Sequence, residues 1–323
     1  MKKYNILVVG AGSIGTRHIK NLLALRQNVI AVVEPSVIRR KQLLKEVSPR
    51  LVFFDTEKLA YADFSPDIVF ICNPTALHIS SARGALTHNA HVFIEKPLSF
   101  NLAGTRSLEL FVRKKKKTVM VACNFRFHSG WKKLHDMLRK KKYGSILYVR
   151  VVLGYYLPMA RLHTKYKKVY AASRRGGGIT LDTGSHIIDY LEVLVGTISM
   201  TTIAKSRLHP LGIESDEIAH FFFRHKNGID SVVSGDYVRT KPSHVIEVVT
   251  TKGTLVLDIR ANRITFENAK KLSTIYQGSL DMNAMFKDEL RHFFQSIARG
   301  TSPLQPLSSA TRVVKILQKA KNI

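Results

Sequence analysis

Through residues 1–123, short continuous apolar runs alternate with stretches whose apolar positions recur three and four apart. Runs of the first kind fit strands buried on both faces of a parallel sheet, and the spaced stretches fit the helices that cover it. The strand runs are Tyr4 to Val9, Val29 to Val33, Leu51 to Phe54, Asp67 to Cys72, His91 to Ile94 and Thr118 to Cys123. Helices are predicted over 36–47, from His78 onward, over 101–114 and over 129–140. From about residue 145 the pattern changes to alternating runs: Ile146 to Leu153, Met200 to Lys205, Glu217 to Arg224, Gly228 to Tyr237, Val245 to Thr250, Thr254 to Leu257 and Arg263 to Glu267. Lys226-Asn227-Gly228 and Lys252-Gly253 are turn signals, so antiparallel hairpins are expected there. Helices over 281–298 and 308–320 close the chain.

The first run leads straight into Gly10-Ala11-Gly12-Ser13-Ile14-Gly15, followed by a helical pattern through His18 and Leu22. In G-x-G-x-x-G the first glycine permits a tight turn, the second lets backbone approach a pyrophosphate, and the third allows helix to pack closely on strand. Gly10, Gly12, Ser13, Ile14 and Gly15 are therefore candidate cofactor-binding residues. Glu34 ends the next strand, some 20 residues on, where a carboxylate accepts hydrogen bonds from a ribose 2′-hydroxyl and repels a 2′-phosphate. This favours NAD, and Arg39 and Arg40 nearby leave NADP open. The fold class predicted is α/β, with an N-terminal Rossmann dinucleotide-binding domain over 1–123. An α+β domain with a large, mostly antiparallel open sheet follows over 124–323, its last helix packing back on the first domain. In open α/β sheets ligands bind beyond the carboxyl ends of the strands. Asn73, Pro74, Thr75 and His78 follow one such end and are expected to line the cofactor; for His78 a structural cap is an equal reading. Glu95-Lys96-Pro97 follows another, and proline biases Lys96 away from the helical region.

One stretch joins the glycines to acid–base chemistry: Gly176-Gly177-Gly178-Ile179-Thr180-Leu181-Asp182-Thr183-Gly184-Ser185-His186-Ile187-Ile188-Asp189. If helical, it sets Asp182, His186 and Asp189 on one face. Histidine has the side-chain pKa nearest neutrality and suits proton transfer from a hydroxyl. Asp189 is read as structural.

Composition narrows the classes. A formal charge of +28 points to an anionic substrate or a solvated basic surface. The runs Lys114–Lys117 and Lys140–Lys142 fall where helices end, which cations favour. No nucleic-acid-binding module is recognised, and no apolar run is long enough to span a bilayer. Two cysteines, Cys72 and Cys123, sit in apolar surroundings, so no disulfide framework and no metal site are expected. The N-terminal residues do not read as a secretory leader, which places the protein in the cytoplasm.

Four features in order, the glycine loop, Glu95-Lys96-Pro97, Asn124-x-Arg126 and G-G-G-x-x-x-D-x-G-x-H-x-x-D, resemble the glucose–fructose oxidoreductase / inositol dehydrogenase / MocA family. The resemblance covers essentially the whole chain. It implies NAD(P)-dependent oxidation or reduction at a sugar or cyclitol hydroxyl, and a homodimer or homotetramer built through the open sheet. It makes Glu95 and Lys96 cofactor-side residues and Lys96, Asp182 and His186 the catalytic set. Asn124, Arg126, Tyr156, Asp182 and His186 become the substrate contacts. The segment from Gly154 to Pro158, with Tyr166 and Tyr170, is similar to members associated with amino-sugar, nucleotide-sugar or nonulosonic-acid pathways, although Met159-Ala160-Arg161-Leu162 departs from their pattern. The competing readings are an NAD-dependent glycoside hydrolase with an internal redox cycle, a non-catalytic nicotinamide-binding protein, and a basic nucleic-acid-associated protein.

Overall fold

The computed structural model describes residues 2–26, 29–160, 165–174, 177–206 and 208–319. The chain divides into two compact units, Met1–Ala122 with Phe286–Val314, and Cys123–Met285 with Lys315–Ile323.

In the first unit, β1 (Asn5–Val9), α1 (Ser13–Ala24), β2 (Val29–Val33), α2 (Val37–Glu46), β3 (Val52–Phe54), α3 (Glu57–Asp63), β4 (Ile68–Ile71), α4 (His78–Thr87), β5 (His91–Ile94), α5 (Thr105–Lys115) and β6 (Val119–Val121) follow in turn. The sheet order is β3-β2-β1-β4-β5-β6 and every pairing is parallel. β1, at the centre, pairs with both β2 and β4, so the chain reverses its winding direction there. Strand residues such as Leu7, Val69, Phe70, Val92 and Phe93 are fully buried, which is why these strands read as unbroken apolar runs. Ser36 and Thr56 cap α2 and α3 by accepting the N–H groups of Arg39 and Leu59. The predicted helix from 101 begins instead at Thr105, after a turn ending in Gly104 at φ 75°. The basic run Lys114–Lys117 closes α5, where cations meet the negative end of the helix dipole.

The second unit contains α6 (Ser129–Arg139), β7 (Ile146–Gly154), the short α7 (Leu157–Ala160) and α8 (Gly184–Leu194). Seven further strands follow: β8 (Ile198–Lys205), β9 (Ile218–His225), β10 (Asp230–Asp236), β11 (Ser243–Thr250), β12 (Gly253–Asp258), β13 (Arg263–Glu267) and β14 (Leu272–Gln277). They form one sheet, β14-β13-β12-β11-β7-β10-β9-β8, antiparallel except where β7 meets β10. In β11, His244, Ile246, Val248 and Thr250 are buried while the residues between them are half-buried, the alternation of a sheet covered on one face. The run Lys140–Lys142 follows the end of α6.

The last helices, α9 (Asn283–Arg299) and α10 (Leu307–Gln318), give residues 286–314 to the first unit. A larger part of the C-terminal region than the last helix therefore belongs to that unit. Phe293 packs on Phe70 and Phe93, Phe294 stacks on Tyr4 at 5.8 Å, and Leu307, Ala310 and Val314 join the core on the other face. Cys72 and Cys123 are both buried and free.

The turn between β1 and α1 is the tightest approach in the first unit. A Cβ on Gly15 would lie 2.1 Å from the carbonyl oxygen of Gly10. Gly15→Ala should cost about 1–3 kcal/mol by overpacking against backbone, seen as a fall of several degrees in the thermal unfolding midpoint. An unchanged midpoint would show that the turn relaxes freely.

Candidate active site

In the first unit the site begins where β1 ends. Gly10 has φ +91°, and a Cβ there would meet Asn73 N at 2.7 Å, so only glycine fits. The corresponding position at Gly12 opens on empty space, the room a pyrophosphate needs. No side chain caps α1, and its first intrahelical bond runs from Thr16 N–H to Gly12 O at 2.9 Å. The N–H groups of Ser13, Ile14 and Gly15 therefore point out of the helix end, where they favour an anion. The loop fits the diphosphate of a dinucleotide.

Glu34 lies beside this loop. Its Oε2 accepts the Ala11 N–H at 3.1 Å and its Oε1 accepts the Ser36 N–H at 3.0 Å. The two arginines that leave NADP open are both engaged. Arg39 donates to Ala11 O at 3.0 Å and to Thr16 Oγ1 at 2.7 Å, and Arg40 donates to Glu34 O and pairs with Asp55.

Past β4, Pro74 is exposed and Asn73 half-buried, and the Asn73 amide donates to Ser81 Oγ at 2.9 Å. Thr75 and His78 are buried. His78 does not face a ligand with its ring nitrogens. Nδ1 lies 3.0 Å from Pro97 O and Nε2 2.9 Å from Asn73 O, and burial lowers its pKa below the usual value. Glu95 also turns inward, because His18 holds one of its oxygens at 2.6 Å and the Lys96 N–H donates to the other at 3.2 Å. For His78 and Glu95 the expected place against the cofactor is thus replaced by interior hydrogen bonds. Lys96 is half-buried, and its bond to Pro97 is cis.

In the second unit Asp182 and His186 stand on one continuous helical run. It opens as a π-helical turn over Ile179–Thr183 and continues as α8. Asp216 anchors the opening: its backbone oxygen accepts the Ile179 N–H at 3.0 Å and its Oδ2 accepts the Thr180 N–H at 2.7 Å. A Cβ at Gly177 would meet Tyr170 O at 2.4 Å, and Gly178 has φ +85°. Gly176 and Arg161-Leu162 lie outside the described residues. Asp182 Oδ2 accepts the Tyr237 hydroxyl at 3.3 Å. Burial, with Asp182 adding to it, pushes that hydroxyl well above its ordinary pKa, so it stays a donor. His186 is half-buried, and the Phe125 ring meets it edge-on at 4.9 Å.

Asn124 and Arg126 lie on a short helical turn after β6. Asn124 is buried, with its amide 3.8 Å from Met285 Sδ. Arg126 is paired with Asp189: Nε donates to Oδ2 at 2.7 Å and Nη2 to Oδ1. Only 10% of the arginine side chain and 7% of the aspartate are exposed. Removing one partner of such a pair costs about 3–5 kcal/mol, so Arg126 is bound up with Asp189 at least as firmly as it is offered to a ligand. Tyr156 is half-buried, beside Tyr155, whose ring packs on Tyr237 at 5.1 Å. Sequence reasoning missed Phe125, Tyr237, His244 and Asp216. Phe125 was within reach, since it stands between two residues already singled out.

Among the described residues no group of three His, Cys, Asp or Glu side chains is placed to hold a metal, and no helix is long and apolar enough to cross a membrane.

Residues 4–123 match the model of the oxidoreductase family with an NAD-binding Rossmann fold, and residues 131–256 match the GFO/IDH/MocA C-terminal domain. The chain belongs to the Gfo/Idh/MocA family. Uncharacterized oxidoreductase YrbE of Bacillus subtilis is 26% identical over 257 residues, which span 78% of this chain and 72% of YrbE. Myo-inositol 2-dehydrogenase of Thermotoga maritima is 26% identical over 190 residues, 58% of this chain and 54% of that enzyme. The solved structure of levoglucosan dehydrogenase with NADH and levoglucosan has the same fold, with a TM-score of 0.86 at 18% identity, covering 98% of this chain and 96% of that one. As a Gfo/Idh/MocA protein, the chain is an NAD-dependent oxidoreductase.

His244 lies against this second-unit cluster, 4.8 Å from the Phe125 ring and with Nε2 3.2 Å from the Tyr190 hydroxyl oxygen. Burial, reinforced by His128 and Arg260, lowers its pKa from 6.5 to about 3. The neutral ring is thus favoured in the folded state. That contribution is complete above pH 6.5 and is lost as pH falls from 6.5 towards 3, at about 1.4 kcal/mol per pH unit. Denaturant titrations at pH 6 and pH 4 should show a flatter loss of stability in His244→Phe than in the wild type. Parallel slopes would remove His244 from the account.

Proposed function

We propose that the chain transfers a hydride between nicotinamide and a hydroxyl or keto carbon of a sugar, specifically an amino sugar or a nucleotide sugar. The observation that carries this reading is the pairing of Asp182 and His186 on one helical run, with Asp182 held by the Tyr237 hydroxyl and His186 flanked by Phe125. A bound nicotinamide supplies the hydride acceptor or donor. His186 takes the hydroxyl proton in the oxidation direction, being the side chain best matched to neutral pH. Asp182 accepts hydrogen bonds from sugar hydroxyls, its position fixed by Tyr237. Lys96 hydrogen-bonds the reacting oxygen and stabilises negative charge as it develops there. Phe125 meets the imidazole ring edge-on and limits its rotation.

The charge of the second unit supports an anionic sugar derivative. Residues 165–174 carry Lys165, Lys167, Lys168 and Arg174. This segment bonds to the residues flanking the Asp182 turn and its anchor, since Ser173 O accepts the Gly177 N–H at 3.0 Å and Ala171 O accepts the hydroxyl of Ser215, next to Asp216, at 2.7 Å. Four exposed cations on the segment that leads to the Asp182 run suit an anionic sugar derivative such as a nucleotide sugar.

A coupled assay tests this. The protein is mixed with NAD or NADP and a panel of nucleotide-activated amino sugars, free sugars and inositols, and reduced nicotinamide is followed by absorbance. Turnover is expected with a nucleotide or amino sugar, faster with NAD. Lys96→Ala and His186→Ala should each lower turnover about 100-fold or more, while NAD affinity by fluorescence stays near normal. Wild-type rates in both variants would overturn the assignment. NAD binding with silence across the panel would favour a hydrolase that reoxidises and rereduces its own cofactor.

A further inference from the structure

Two buried histidines that the proposed reaction does not use hold the residues on either side of Lys96. The first is His18, in the second turn of α1 and 0% exposed. Its ring is enclosed by Phe70, Phe93 and Phe286, with centroids at 5.7, 5.3 and 6.4 Å. Its Nε2 lies 2.6 Å from Glu95 Oε1. An ionised carboxylate only accepts, so Nε2 carries the proton. Nδ1 has no hydrogen-bond partner among the described residues, so the bond to Glu95 is the one the ring makes there. Burial by itself would raise the Glu95 pKa. The His18 bond, with Lys96 and His78 nearby, outweighs that and holds it below the ordinary carboxylate value. The other carboxylate oxygen accepts the backbone N–H of Lys96. One side chain thus links α1, whose N-terminus is the pyrophosphate end, to the peptide of Lys96.

The second is His78, the first residue of α4 and 1% exposed. It bridges the carbonyls of Pro97 and Asn73, the backbone just past β5 and just past β4. A neutral imidazole has one N–H, so it donates to one carbonyl and rests against the other. In an apolar interior a polar ring costs free energy unless its bonds repay it; His18 makes such a contact to Glu95, and His78 makes one of its two to Pro97, the residues on either side of Lys96.

We propose that His18 and His78 are positioning residues for Lys96, clamping Glu95 and Pro97 so that the lysine leaves the strand end in one fixed direction. The proposal rests on the reading of Lys96 as the group that meets the reacting oxygen. It goes beyond that reading in making α1 and α4 responsible for where the lysine stands. His18 acts through Glu95 and His78 through the Pro97 carbonyl, and neither is given a place at the reacting atoms.

The test uses the full-length chain with His18→Leu, His18→Gln, His78→Leu and the double leucine variant. Glutamine is chosen because its amide keeps a donor near the place of Nε2. Three quantities are read: the rate at which an acetylating reagent labels Lys96, followed by peptide mass spectrometry; NAD affinity by fluorescence; and kcat and KM on the sugar that turns over. Each leucine variant should change the Lys96 labelling rate several-fold. Each should lower kcat about 10-fold or more, since a misplacement of about 1 Å costs up to 100-fold, with KM and NAD affinity within about 3-fold of wild type. His18→Gln should recover most of the loss. The double variant should lose less than the product of the two, because both act on one side chain. Unchanged labelling and unchanged kcat in both leucine variants would overturn the clamp. So would a kcat loss that glutamine does not restore and that NAD affinity follows in step. If His18→Leu does not fold, Glu95→Gln takes its place with the same expected signature. If the wild type turns over no sugar, the labelling rates still decide the clamp, and the silence counts against the reaction alone.

Discussion

A helix starts hard against the end of β1 only because nothing stands between Gly15 and the Gly10 carbonyl. Everything the first unit does with a dinucleotide depends on that contact. It brings the open end of α1 next to the strand edge, turns three unpaired N–H groups toward one point, and leaves empty room at Gly12 for a diphosphate. It also fixes the height of α1 above the sheet. That height sets where His18 enters the aromatic layer of Phe70 and Phe93, and so where Glu95 finds its partner. A methyl group at one position would disturb both the anion-binding end and the buried carboxylate.

The second unit solves a different problem, that of holding in place the turn and helix that carry an aspartate and a histidine. The Asp182 turn is held from outside, by the two oxygens of Asp216 that receive the Ile179 and Thr180 N–H groups. Asp182 itself is steadied by a phenol that burial keeps protonated. His186 is steadied by the edge-on Phe125 ring. One turn further on, Asp189 takes up Arg126, and the buried pair ties α8 to the turn that presents Phe125. A buried ion pair adds little net stability. Its effect here is to fix the register of the helix against the Phe125 wedge.

Much of this was legible in the amino-acid sequence. Strands covered on both faces must be apolar throughout, so Ile68–Ile71 and His91–Ile94 announce themselves. β14 does not, because it is an edge strand with Leu272 65% exposed and no face fully buried. α3 is seven residues long and buries only Ala60, too little to set a period. The glycine loop, Glu34, Lys96, Asp182 and His186 stand out in the sequence because each falls in a motif of fixed spacing. The contacts that organise them are not. His18 finds Glu95 across 77 residues, Tyr237 finds Asp182 across 55, and Asp216 reaches Thr180 across 36. No spacing rule connects such pairs. Only the folded backbone brings them together, and this is also why Glu95 and His78, which follow strand ends, turn out to face inward.

The first unit is made from two separated lengths of chain, and this shapes how it comes into being. During synthesis the six-stranded sheet is complete at residue 122, long before Phe293 and Phe294 have been made. Until then Tyr4, Phe70 and Phe93 wait without the aromatic side chains that later cover them, and Leu7 and Val92 wait without Leu307 and Val314. The nascent sheet therefore presents two sticky faces to the cell for as long as the second unit takes to emerge. A chain interrupted anywhere between 123 and 285 would keep them bare, a natural substrate for chaperones that recognise exposed aromatic surface.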